Sequence, residues 1–233
     1  DFASSISARP EISGVFLSFQ KNLALMVATD SFRLAEKKLS FENDLEKEYY
    51  FIIPQKTIRE LIHILSDKKG KLKIYFSPNQ ILFEFPFEGV KHPQVQIISH
   101  LIEGEYPDYQ AIIPTKYETQ LIIKRSNFLS QLRTAGLFGG RINEMKLKID
   151  PKKEILEIFA QSPEFGQSLS FLPARIKGIK KEVSFNWRFL AEGISQIQNP
   201  EILFALTSEE GPALLKPLDD PSFCYIVMPI KSS

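Results

Sequence analysis

The chain is poor in the residues that do chemistry at metals, disulfides and redox centres. Its one cysteine, Cys224, sits in an apolar run; this excludes a disulfide framework, and the side chain is expected to be a small buried hydrophobe. None of its three histidines, His63, His92 and His100, stands at metal-ligand spacing to another or to Cys224, and His63 is expected on the surface of a helix. Carboxylates are spread evenly, so neither an acid/base pair nor a magnesium cluster stands out. Asp219-Asp220, just before Pro221, reads as a solvated loop. A serine elbow, a P-loop and a dinucleotide fingerprint are all missing, and the isolated pair Gly139-Gly140 needs no more than a turn to explain it. The expectation is a protein that is not an enzyme and holds no metal or cofactor. Nor does any apolar run approach the ~18 residues of a membrane span. The opening DFASSISARP has no initiator methionine, no basic n-region and no apolar h-region, so a cytoplasmic protein without a membrane partner is expected. A formal net charge of +1 argues against strong overall attraction to nucleic acid, while leaving room for a local basic lining.

What is present is ample material for cores. Hydrophobic residues make up 43% of 233 positions, which fits two domains of about 115 residues each. GVFLSF (14–19) and LALMVAT (23–29) read as a hairpin, followed by RLAEKKL as a third strand. YYFIIP (49–54) is a strand stopped by Pro54. Ile58, Leu61, Ile62 and Leu65 then recur at helical spacing, with Gln55, Lys56, Arg59 and Glu60 off the stripe. KLKIYF (71–76) and ILFEF (81–85) flank a tight turn, and VQIISHLI (95–102) is a further strand. The turn-rich EGEYPDYQAIIPTKYET marks a boundary near Pro114–Tyr117, giving domains 1–116 and 117–233.

The second half repeats the plan. QLIIK (120–124) leads to a helix that Ser126 is positioned to cap, with Leu129, Leu132 and Ala135 on one side. A hairpin (MKLKI, EILEIFA) and the strand QSLSFL follow. EVSFN (182–186) runs into a helix capped by Asn186, with Trp187, Leu190, Ala191 and Ile194 inward, and EILFAL, GPALLK and FCYIVMPI are strands. Residues 49–85 and 182–216 carry the same order, 132 positions apart when Pro54 is laid on Asn186. Residues 120–172 are a third copy, and 1–39 a fourth that lacks its first strand and most of its helix. The fold class expected is α+β: two domains, each of duplicated β-α-β-β-β half-units with helices on one face of antiparallel sheets.

Four runs, VATDSFRLAE, EGEYPDYQAIIP, FNWRFLAEGISQI and YIVMPI, together resemble the bacterial DNA sliding clamp, the beta subunit of DNA polymerase III. They occur in family order, and the resemblance covers the middle and C-terminal domains of a three-domain subunit. It implies the DNA-clamp (processivity) fold. In the family, a head-to-tail homodimer ring encircles duplex DNA without sequence specificity, helices inside and sheets outside. The ring tethers the catalytic subunit of DNA polymerase III, the clamp loader, other polymerases and repair proteins through a short linear motif. Residue by residue, the implied peptide pocket comprises Ile12, Thr29, Ser31, Phe32, Arg33, Leu34, Pro107, Ile112, Ile142, Asn186, Phe189, Ile226, Val227, Met228, Pro229 and Ile230. Expected DNA-facing cations are Lys56, Arg59, Lys124, Arg125, Arg133 and Arg188. The implied ring contact lies near Arg133–Phe138. The sequence departs from the family pattern at Ser31-Phe32 (often Gly-His), at Ala111 (often basic), at Phe189 (a tyrosine) and at Lys231 (often arginine). Taken singly, each basic residue also fits a solvated helix face, YIVMPI fits a buried terminal strand, and Arg33 fits an ion pair with Asp30. A clamp-like peptide-binding scaffold that does not encircle DNA is the alternative. An enzyme domain of nucleic-acid metabolism is a second, against which the missing acidic cluster argues.

Overall fold

A computed structural model describes residues 9–41, 45–87, 89–90 and 92–231. The start of the expected fourth repeat copy lies outside them. Two compact units are present. One comprises the chain up to Ser31 and Glu36–Pro107, the other Phe32–Ala35 and the chain from Asp108 onward.

The first unit holds β1 (Gly14–Gln20), β2 (Leu23–Thr29), the later part of β3 (Arg33–Ser40), β4 (Tyr49–Pro54), α1 (Gln55–Leu65), β5 (Lys73–Phe76), β6 (Gln80–Phe85) and β7 (Val95–His100). β1 lies between β2 and β4, antiparallel to both, with Leu17 opposite Met26 on one side and Phe51 on the other. β5, β6 and β7 form a three-stranded sheet in that order. The alternation of each strand turns Leu17, Phe51, Ile53, Ile81 and Phe83 inward, where Leu61 of α1 joins them. Ile58 and Leu65 pack against this cluster, but Ile62 is exposed, so the buried stripe of α1 is narrower than its periodicity suggests. His63 is exposed, as expected.

The second unit holds β8 (Thr119–Lys124), α2 (Arg125–Gly136), β9 (Glu144–Asp150), β10 (Ile155–Ser162), β11 (Gly166–Pro173), β12 (Arg175–Gly178), β13 (Lys181–Asn186), α3 (Trp187–Ser195), β14 (Glu201–Leu206), β15 (Ala213–Pro217) and β16 (Phe223–Val227). One sheet runs β11-β10-β9-β13 and the other includes β12-β8-β14-β15-β16. The half-units exchange strands: β13, from the second, pairs with β9 of the first, and β8, from the first, pairs with β14 of the second. Helices α2 and α3 pack on each other. At the centre the Phe204 ring meets Phe128 at 6.0 Å and Phe185 at 5.9 Å, and all three are fully buried.

The repeat is visible in the structure: Tyr49–Pro54 and α1 in one unit correspond to Lys181–Asn186 and α3 in the other, at the same 132-residue offset. Several local expectations need correction. β12 was not foreseen; of its four residues only Ile176 is buried, so it has no periodic signal. The residue preceding α2 is Lys124, not Ser126, whose hydroxyl donates to Asn127 Oδ1 at 3.3 Å. That helix buries Phe128, Leu132 and Ala135, while Leu129 is half-buried. Trp187 is half-buried rather than fully inward, and Cys224 is half-buried rather than buried.

Truncating Phe204 to alanine removes the ring shared by both half-units, and the expected cost is about 3–5 kcal/mol by urea denaturation. On the surface, Lys146 Nζ lies 2.8 Å from Glu182 Oε1 across the β9–β13 pair. That hydrogen bond holds the Glu182 carboxyl below its usual range and raises Lys146. A lowered carboxyl stabilises above its unfolded pKa and ceases to do so as pH falls through the folded one. The small stability difference between wild type and Glu182→Gln is therefore expected to hold at neutral pH. It should vanish in acid below about pH 4, and shrink in high salt, which thermal melts across pH will show.

Candidate functional site

The second unit gathers much of the expected site around the start of α3. Asn186 ends β13 in an extended conformation and its Oδ1 accepts the Arg188 backbone N–H at 3.0 Å, satisfying one of the helix's orphan donors. One turn on, the Arg33 guanidinium lies 4.2 Å from the centroid of the Phe189 ring, and its Nη1 is 2.5 Å from Glu192 Oε2. A planar cation fits both a ring face and a carboxylate, which lysine does not. The Arg33 side chain is mostly buried there, while Glu192 is half-exposed. Tyr225, fully buried in β16, donates its hydroxyl to the Phe189 carbonyl at 2.9 Å. Its ring lies directly against Gly193, where an added Cβ would sit 2.4 Å from ring carbons.

The terminal segment completes this surface. β16 ends at Val227, and Pro229, having no N–H, cannot continue a ladder. Instead Met228 N–H donates to the Phe32 carbonyl and Ile230 N–H to the Ser184 carbonyl, each at 2.8 Å. Met228, Pro229 and Ile230 are half-buried; Ile226, Val227 and Leu34 are buried beneath. Phe32 and Ile142 are 59% and 61% exposed, and Ile112, at the end of a 3-10 turn, is also exposed.

The remaining expected residues distribute as follows. Ile12, Thr29, Ser31 and Pro107 belong to the first unit. Ile12 is a core residue there. Thr29 Oγ1 accepts the Ser31 N–H at 3.3 Å, closing a hydroxyl-stabilised turn in which Ser31 takes φ +73°, the region glycine favours. That turn is why a hydroxyl-rich cluster interrupts the apolar strand β2. Among the basic residues, Lys56 and Arg59 are exposed on α1; Lys124 precedes α2, Arg125 begins it and Arg133 is in its last turn. Arg188 is exposed, but its Nε donates to Asn143 Oδ1 at 2.9 Å. Glu192, Asn143 and Tyr225 were missed by sequence reasoning. Glu192 carries one faint signal: it stands three residues after Phe189, on the same helix side. A separate cleft of about 340 Å³ lies where β8 meets α2, flanked by Pro173, Arg175 and Glu201. Arg175 and Glu201 in its lining form an ion pair of 2.6 Å, and of the expected site residues only Lys124 lines it. Among the described residues, no group of three or more His, Cys, Asp or Glu side chains forms a metal site, and no helix is long and apolar enough to cross a membrane.

Comparison with known families is decisive. The profile of the DNA polymerase III beta subunit, central domain, matches residues 2–108, and that of its C-terminal domain matches residues 110–231. The chain belongs to the DNA polymerase III beta subunit family. Beta sliding clamps of Staphylococcus epidermidis and Staphylococcus aureus are 32% identical over 234 residues, covering all of this chain and 60% of theirs. The crystal structure of the Bacillus subtilis DNA polymerase sliding clamp superposes with a TM-score of 0.92 at 28% identity, covering 100% of this chain and 60% of that one. The Pseudomonas aeruginosa beta subunit shares the fold, with a TM-score of 0.90 at 22% identity over 99% of this chain and 61% of that one. The chain thus spans about 60% of the length of the curated relatives it matches. The family resemblance of the four sequence runs and the clamp fold are both borne out.

Replacing Arg33 with alanine removes its ion pair with Glu192 and its ring contact with Phe189 together. The expected loss is about 1–2 kcal/mol by chemical denaturation. Arg33→Lys should recover only part of it, because an ammonium satisfies the ring and the carboxylate less well at once.

Proposed function

We propose that this chain is the middle and C-terminal part of a non-catalytic processivity clamp. Such a subunit surrounds duplex DNA without reading sequence, in the cytoplasm, as part of a homodimer ring. It tethers the DNA polymerase III catalytic subunit, the clamp loader, other polymerases and repair proteins through short linear peptides. The domains proposed are 1–116 and 117–233. The observation that carries the reading is the surface at the start of α3, in a member of this family. There Phe32 and Ile142 are exposed, Met228, Pro229 and Ile230 are half-buried, and Asn186 and Arg33 supply fixed polar groups.

The chemistry suits an extended peptide with leucine or phenylalanine anchors. Apolar side chains on a fixed backbone accept the anchors at little ordering cost, and Met228 adapts to anchors of different shape. Buried Leu34, Ile226 and Val227 hold that surface from beneath. Diffuse attraction to phosphates needs exposed cations and no base readout; Lys56 and Arg59 on α1, with Lys124 and Arg133 at α2, are exposed, and half-buried Arg125 adds its charge beside them. Leu137, 71% exposed at the end of α2, is the apolar side chain proposed for the ring contact.

Fluorescence anisotropy with a labelled Gln-x-x-Leu-Phe peptide tests the reading. Saturable micromolar binding, about 8 kcal/mol, is expected, with Met228→Ala weaker by tenfold or more. A folded wild-type chain that shows no saturable binding overturns it.

A further inference from the structure

We infer that Asn143 and Arg188 form a positioning clamp that fixes Ile142 for peptide anchors, an inference that rests on the peptide-binding reading above. The loop joining α2 to β9 reads Leu-Phe-Gly-Gly-Arg-Ile-Asn (137–143). It carries two strongly exposed apolar side chains, Leu137 and Ile142. A loop with such a tip loses entropy when it binds unless something already holds it.

Three hydrogen bonds hold this one, and they converge on Asn143. Its φ is +55°, a left-handed conformation that asparagine tolerates better than most residues. Its N–H donates to the Gly140 carbonyl at 3.3 Å, and its carbonyl accepts the Trp187 N–H at 2.9 Å. Its side-chain Oδ1 accepts Arg188 Nε at 2.9 Å. The Arg188 guanidinium lies over the Trp187 ring, 5.2 Å from its centroid, and that ring fills the space over Gly136 and Gly139. A Cβ on Gly136 would be 2.4 Å from indole carbons, and one on Gly139 would be 2.9 Å.

The clamp continues the β9–β13 ladder. Glu144 is the partner of Asn186, so the next step along the two strands sets Asn143 against Trp187. The same Asn186 caps α3 by accepting the Arg188 N–H. Ile142, Asn186 and Phe189 are therefore tied by one short network rather than by independent loops. Arg188, expected from the sequence to face DNA, acts in this network as a positioning residue.

Trp187 is the single tryptophan, so its emission reports the loop directly. The experiment uses the chain with Arg188→Ala, Asn143→Gly, Ile142→Ala and the Arg188→Ala/Ile142→Ala pair. Asn143→Gly keeps the left-handed backbone but deletes the Oδ1 acceptor. Each clamp variant is expected to shift Trp187 emission to longer wavelength with its circular dichroism unchanged. Each should weaken the Gln-x-x-Leu-Phe peptide by about three- to tenfold. The double variant should bind no more weakly than Ile142→Ala alone, because the clamp acts through that residue. Multiplicative losses in the pair overturn the positioning role, and unchanged emission in both clamp variants overturns the clamp itself. If wild-type protein binds no peptide, the pocket reading has failed and the role in binding with it; the emission still decides whether the clamp holds the loop.

Discussion

Strand exchange between half-units is the constraint on which the second unit depends. β13 lies against β9 and β8 against β14, so neither half-unit completes a sheet without the other. The exchange also fixes where function can sit. Because Asn186 at the end of β13 is paired with Glu144 at the start of β9, the first turn of α3 emerges beside the loop that carries Ile142. The buried Phe128, Phe204 and Phe185 rings come from both half-units and hold the helices over that join. A fold built by duplication thus places a surface of converging chain ends where its two copies interlock.

That surface is made of groups held from behind. Phe189 is fixed by its carbonyl's bond to Tyr225, Tyr225 by its place in β16 and its contact with Gly193. Arg33 is held between a ring and a carboxylate, and the Met228 amide is tied to Phe32. Each apolar side chain left accessible is attached to a backbone that has already lost its freedom. On the peptide-binding reading proposed above, such pre-organisation gives affinity without a deep cavity.

The sequence was informative where periodicity is strong and silent where contacts are long-range. Strands β1, β2, β4, β8 and β14 alternate or run apolar and were legible, as were α1, α3 and the Asn186 cap. β12 was not, since Arg175, Lys177 and Gly178 carry no apolar period. Ser126 reads as a cap because serine is favoured there; the cap position is Lys124, two residues earlier, and the helix buries Phe128 instead of Leu129. The proposed site is drawn only from the family motifs. Nothing local links Arg33 to Glu192, 159 positions away, or Asn143 to Arg188. The β9–β13 pairing brings Asn143 to Arg188, while Arg33 enters from the start of β3, where the preceding Phe32 carbonyl is tied to the Met228 amide. Motif matching also does not tell wall from support: Ile226, Val227 and Leu34 are in the matched runs yet are buried.

The start of α3 is proposed as a peptide-binding surface. A two-dimensional 15N–1H NMR titration of the deuterated chain with unlabelled Gln-x-x-Leu-Phe peptide tests it most directly. Saturable amide shifts are expected at Phe32, Ile142, Phe189 and Met228, with Arg175 and Glu201 at the separate cleft unmoved. A well-dispersed spectrum that does not change, or shifts centred on that cleft, would contradict it.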